Sequence, residues 1–195
     1  MVASLRDAGP ALEAMTNVVF THAHSDHQFG AVTAVAPVFA NATYHIGENE
    51  LTFWTQPALA DMMPKDLVPM VMGIQGALDV LRDKTTAFKI GAEVLPGIMA
   101  LDTPGHTTGH VSFDFPGRGW LALVGDAIAV PGVFFAKPEW KFGFDAYFDM
   151  AGKTRRRLLD MAAQGKRKLL GYHWAYPGFG MAEVKDSAFV HVPAV

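Results

Sequence analysis

Cysteine is absent from the chain, which excludes disulfides, thiolate zinc sites and a cysteine nucleophile and leaves histidine and carboxylates as the strong metal ligands. A basic excess is missing too. With 16 Lys and Arg against 19 Asp and Glu, a net charge of −3, nothing in the composition is suited to neutralising phosphates, so nucleic acid has no support as a partner. No apolar run approaches the ~18 residues of a membrane span, and the opening "MVASLRDAGPALEAM" lacks the charged-then-apolar order of a secretory signal. The chain therefore reads as soluble, without a membrane partner, and cytoplasmic by default. Repeats and low-complexity linkers are also lacking. What is present is apolar: 50% of 195 residues, enough for the core of one soluble domain spanning residues 1–195.

Short β-rich runs alternate with helical patterns, as in α/β or layered αββα proteins. The opening segment reads as an amphipathic helix leading into a buried strand, Asn17 to Thr21. A helix is expected from Phe29 to Val35, helical patterns from Glu48 to Ala60 and from Asp66 to Arg82, and a break at Pro64 between those two. The runs "TAFKI", "EVLPGIMALD", "HVSFDF" and "WLALVGD" read as strands separated by Gly and Pro turns. Helix returns from Phe144 to Gln164 with Gly165 as its C-cap, and "KLLGYH" and "AFVHVPAV" read as later strands.

The chemistry concentrates directly after the first strand, where "THAHSDHQFG" places His22, His24, Asp26 and His27 within six residues. His22 and His24 are two apart, so an extended backbone projects them to one side, while Asp26 and His27 turn toward a neighbouring position. Four such groups crowd a single tetrahedral ion. They suit two ions about 3.5 to 4 Å apart, the arrangement of two-metal hydrolases. Three later residues match in character and in their place at strand ends: His106 in the turn "DTPGHTTGH", Asp126 closing "WLALVGD", and His173 closing "KLLGYH". A carboxylate at the end of an apolar strand is costly unless it meets a cation or hydrogen-bond donors. A lone His or Asp at a strand end is more often a surface or capping group; the dense cluster reverses that balance.

Of the other histidines, His45 in "ATYHIG" and His191 in "FVHVP" read as structural or exposed. His110, four residues after His106, suits a hydrogen bond that orients the ligand turn, with Asp102 and Thr107 as rivals for that role.

The ordered set His22-x-His24-x-Asp26-His27, then "TPGHTTGH", "GD" and His173, resembles the metallo-β-lactamase-fold hydrolases over most of the chain. Within them, "EVLPGIMALDTPGHTTGHVSF" and "HWAYPGFG" are most similar to the methyl parathion hydrolase and quorum-quenching lactonase branch. The resemblance implies a four-layer αββα sandwich and two divalent metal ions, zinc first, with manganese, cobalt or iron also suited to such ligands. It implies that His22, His24 and His106 hold one ion, that Asp26, His27 and His173 hold the other, and that Asp126 bridges them. Asp26 and Asp126 are then the catalytic carboxylates, acting with a metal-bridging hydroxide on a small-molecule lactone, aryl-ester or phosphotriester substrate.

Two departures from the family pattern set further expectations. The ligand motif begins at residue 22, so the first strands of the sandwich are expected to be absent; a missing N-terminus could have carried an export signal, and exposed sheet edges favour pairing with another chain, a homodimer in the simplest case. The tyrosine that lactonases of this fold often carry three residues after the bridging Asp is replaced by Ala129. This leans toward an apolar pocket, for which Trp54, Phe134, Phe135, Trp140 and Phe142 are candidates. The competing readings are a class B β-lactamase, disfavoured by the bridging Asp126, a glyoxalase II-type thioesterase, which needs a C-terminal domain beyond His173, and an inactive metal-binding fragment.

Overall fold

Three short parallel strands organise the first of two units in this computed structural model, which describes residues 2–118 and 120–194. Unit 1, Met1–Phe88, opens with α1 (Val2–Asp7). The longer helix expected here stops because Gly9 takes a φ of 99° and Pro10 supplies no backbone N–H, and only a 3-10 turn, Leu12–Ala14, follows. β1 (Asn17–Val19) leads to the one-turn helix α2 (Ser25–Gln28); β2 (Thr43–Gly47), α3 (Glu48–Trp54), α4 (Leu59–Met62), α5 (Val68–Leu81) and β3 (Thr85–Phe88) complete the unit. The sheet order is β1-β2-β3. Both pairings are parallel, so each connection must cross over, and helices fill those crossovers.

The helix expected from Phe29 to Val35 does not form. After a 3-10 turn at Phe29–Ala31 the chain makes a tight turn instead: Val32 bridges Pro37 antiparallel, and Thr33 Oγ1 accepts the Ala36 N–H at 3.0 Å. The pattern from Glu48 to Ala60 is two helices, interrupted around Pro57. α5 matches its expected span closely and buries Val71, Ile74, Ala77, Leu78 and Leu81 at helical spacing. Each large apolar side chain among these contributes about 1.5 to 3 kcal/mol of burial free energy, set against Phe20, Tyr44, Ile46, Trp54 and Leu59 in the same core.

Unit 2, Lys89–Val195, begins with β4 (Glu93–Leu95), β5 (Ile98–Asp102) and β6 (Val111–Asp114), an antiparallel sheet. Then come β7 (Trp120–Gly125), α6 (Pro131–Phe134), α7 (Phe148–Gly165), β8 (Lys168–Gly171), β9 (Phe179–Lys185) and β10 (Ala188–Pro193). The last four strands form one sheet in the order β10-β9-β8-β7. Only β7 and β8 run parallel, joined through α7, whose apolar face packs Leu158, Leu159 and Ala162 against Val124, Leu169 and Phe189.

α7 starts at Phe148 rather than Phe144; before it, the N–H groups of Ala146 and Tyr147 donate to the carbonyls of His106 and Gly105. It ends at Gly165, but the left-handed capping residue is Lys166, with φ 47° and ψ 43°, not the glycine. Met1 and Val195, at the outer ends of the expected first helix and last strand, lie outside the described residues. Among the described residues no helix is long and apolar enough to cross a membrane.

Candidate metal centre

In unit 1 the chain leaves β1 through Phe20 and Thr21 and reaches His22. Thr21 Oγ1 lies 3.0 Å from His22 Nδ1, which fixes the buried ring with Nε2 as the nitrogen suited to ligation. Glu50, fully buried on α3, accepts the Ala23 N–H at 3.0 Å and the Trp54 Nε1–H at 2.7 Å through the same Oε1. The backbone between His22 and His24 is thereby pinned. His24 occupies the N-cap position of α2 with φ −61° and ψ 152°, so its ring stays beside His22, at 4.7 Å between centroids. α2 then turns Asp26 and His27 back: His27 Nε2 is 3.5 Å from Asp26 Oδ2, and its ring is 4.1 Å from that of His22. All four expected residues of the cluster are thus gathered within unit 1.

In unit 2, three segments distant in sequence supply the other three. His106 rides the turn between β5 and β6. Gly105, with a φ of 129°, lets the turn approach α7 so closely that a Cβ would lie 2.3 Å from the Ala151 nitrogen. Thr154 Oγ1 donates to the Pro104 carbonyl at 2.7 Å and holds the same turn from the helix side. Asp126 follows Gly125, whose φ of 51° swings the chain off the end of β7. One carboxylate oxygen, Asp126 Oδ2, then sits 3.4 Å from His106 Nε2 and 3.2 Å from His173 Nε2. His173 is half exposed, and the next residue anchors it: Trp174 Nε1 donates to the Ile128 carbonyl at 2.7 Å.

His110, expected to orient the ligand turn, instead holds the backbone of Asp126, by a route the sequence does not show. Its Nε2 accepts the Asp126 backbone N–H at 3.1 Å, so the proton of the neutral ring belongs on Nδ1, 2.9 Å from Thr103 Oγ1. Thr103 Oγ1 is in turn 3.0 Å from Ser112 Oγ, which donates to the Val124 carbonyl. The bridging candidate is therefore held by its own backbone. Of the rivals, Asp102 is exposed, and its carbonyl accepts from Arg157.

Three side chains that matter here escaped local pattern reading: Glu50, Asp145 and Arg155. His106 Nδ1 lies 3.3 Å from Asp145 Oδ1, and Arg155 Nη1 donates to Asp145 Oδ2 at 2.8 Å, all three groups being buried. One signal was available. Arg155 falls at helical spacing between Ala151 and Leu158, on the apolar face of α7, where an exposed basic residue would not be placed.

The aromatic candidates Trp54, Phe134, Phe135, Trp140 and Phe142 differ in burial. Trp54 belongs to the core of unit 1, Phe134 and Phe135 to that of unit 2, with Phe142 packed on the latter. Trp140 alone is well exposed, at 58%.

In each unit these residues offer only imidazole nitrogens and carboxylate oxygens, the hard-to-borderline donor set that divalent ions such as zinc accept. His22 and His24 present ring nitrogens within 4.8 Å of each other, as do Asp26 with His27 and Asp126 with His173 in ligand-atom terms. The residues fit a metal.

Comparison with known proteins gives the family. Residues 2–173 match the family model of the metallo-beta-lactamase superfamily. The uncharacterized protein YobT of Bacillus subtilis (strain 168) is 29% identical over 154 residues, which cover 76% of this chain but 64% of that protein. Among solved structures, the hydrolase AbOPH of the beta-lactamase superfamily superposes with a TM-score of 0.91 at 25% identity. AidC, a dizinc quorum-quenching lactonase, does so with a TM-score of 0.89 at 27% identity. In both cases the match covers 99% of this chain and 69% of the other. By the family model, by these neighbours and by its mixed α/β fold, the chain belongs to the metallo-beta-lactamase superfamily.

Proposed function

We propose that the chain is a metal-dependent hydrolase that cleaves lactone, aryl-ester or organophosphate ester bonds, working as one domain with two divalent ions, most simply zinc. His22, His24 and His106 would hold one ion, Asp26, His27 and His173 the other, and Asp126 both. The observation that carries the reading is Asp126 Oδ2, placed between the Nε2 atoms of His106 and His173 although these residues are 20 and 47 positions away in sequence (126−106 and 173−126). A carboxylate so placed next to two imidazoles suits a shared ligand. AidC, named as a dizinc lactonase, supports both the metal and the substrate class.

When bound, divalent ions supply Lewis acidity toward a carbonyl or phosphoryl oxygen and bring the pKa of water down to about 7. The protein's own part is geometry. Glu50 fixes the backbone carrying His22 and His24, and His110 fixes the backbone of Asp126, so that neither carboxylate nor imidazoles must reorganise during turnover. Attack on a carbonyl and on a phosphoryl centre share these requirements, and pocket shape selects between them.

The test pairs metal content with turnover on a lactone, an aryl ester, a phosphotriester and a β-lactam. Turnover of the first two with bound metal is expected. Asp126→Ala should lose at least one metal equivalent and reduce turnover by 100-fold or more. Preference for the β-lactam would replace the substrate assignment, and two bound metals without turnover on any substrate would favour an inactive metal-binding fragment.

A further inference from the structure

We propose that Asp145 and Arg155 are positioning residues for His106, setting the ring so that Nε2 is the nitrogen presented for ligation; this rests on the ligand reading of His106 given above. The geometry runs through one continuous set of buried bonds. His106 Nδ1 is 3.3 Å from Asp145 Oδ1, and since a carboxylate only accepts, Nδ1 carries the proton. Nε2 then carries the lone pair and faces Asp126 Oδ2 at 3.4 Å. The second Asp145 oxygen is bound by Arg155 Nη1 at 2.8 Å.

Arg155 is itself immobilised on every side. Its Nε donates to the Pro138 carbonyl at 2.7 Å, its Nη2 to the Trp140 carbonyl at 2.8 Å, and its guanidinium lies 4.2 Å from the Phe134 ring centroid. Arg155 is 0% exposed, His106 3% and Asp145 5%. A buried ion pair recovers in attraction about what it loses in solvation, so it is a poor device for stability. Fixing a ring orientation is what it does well. Because the guanidinium also holds the carbonyls of Pro138 and Trp140, the segment that carries the exposed Trp140 and Phe144 is set by the same group that sets His106. A planar fork with fixed donors is needed for three acceptors at once, and lysine cannot replace it.

The test uses the full chain with Co2+ as probe, reading affinity by chelator competition and ligand environment by the visible absorption bands, with circular dichroism and the thermal midpoint as folding controls. Asp145→Asn keeps the shape and removes the charge. The double variant Asp145→Leu with Arg155→Met removes both charges together, so no ion is left buried alone, and it decides the matter if the single variant does not fold. Both are expected to bind Co2+ about 10 to 100-fold more weakly, with shifted bands, because an outer partner of a ligating histidine typically has that leverage. A folded double variant with the affinity and bands of the unaltered chain would overturn the positioning role. His106→Ala separates the two claims: if it binds Co2+ as the unaltered chain does, the ligand reading fails instead.

Discussion

Individual side chains in this fold show how burial decides what a histidine can do. His191 on β10 lies between Phe135 and Trp174, with ring centroids 4.9 and 4.8 Å away, and its pKa is lowered from the ordinary 6.5 because burial penalises the imidazolium. As pH falls through that ordinary value the unfolded chain takes up the proton first, while the folded chain resists it. Stability contributed by the neutral ring is therefore full above the unfolded pKa, declines as pH falls toward the lowered folded value, and levels off below it. Replacing His191 by Leu should flatten the fall of the thermal midpoint as pH drops below the ordinary 6.5 without abolishing it, since His45 is shifted the same way by burial. An unchanged slope in metal-free protein would show that His191 does not titrate on unfolding. The sequence marked His191 and His45 as structural or exposed because each sits in a strand-like run, and the seven ligand candidates because of their density and order. Asp145 and Arg155 were hidden: their partners lie 39 and 10 residues away, and only the packed turn brings them together.

At the scale of elements, legibility followed the length and regularity of the pattern. α5 was readable because its apolar spacing persists for 14 residues, whereas α2 is four residues long and exists to turn Asp26 and His27. β9 went unread, since Gly180 and the charged Glu183, Lys185 and Asp186 look like loop; it is held by pairing to β8 and β10, which local propensity does not contain. The turn before His106 is where an element boundary becomes functional. A methyl group at Gly105 would meet Ala151 backbone 2.3 Å away, and the φ of 129° is itself unfavourable for any other residue. Gly105→Ala should cost about 2 to 4 kcal/mol, the sum of overpacking and backbone strain, and lower the thermal midpoint by about 4 to 16 °C. The same substitution at Gly117, where a Cβ meets nothing within 4 Å and φ is ordinary, should move the midpoint by less than about 2 °C. Equal effects at the two sites would mean that the turn does not press on α7 as described.

For the whole molecule, the proposed ligands run from His22 to His173, so metal would act on most of the chain's length rather than on one local loop. An ion that binds the folded state and not the unfolded one stabilises by an amount set by its concentration over Kd, about 2.7 kcal/mol at a hundredfold excess. For a chain of 195 residues, that converts to a rise of roughly 5 to 11 °C in the thermal midpoint. Chelation should therefore lower the midpoint by that amount, and returning zinc should restore it. The pairing of effects matters more than either alone: if Asp126 is shared between two ions as proposed, Asp126→Ala should start near the chelated midpoint and gain little from zinc. The two arms fail in different ways. A midpoint that ignores both chelator and zinc would remove the metal from the native state altogether, while a full zinc response in the Asp126→Ala chain would keep the metal but take away the bridging role on which the dinuclear reading depends.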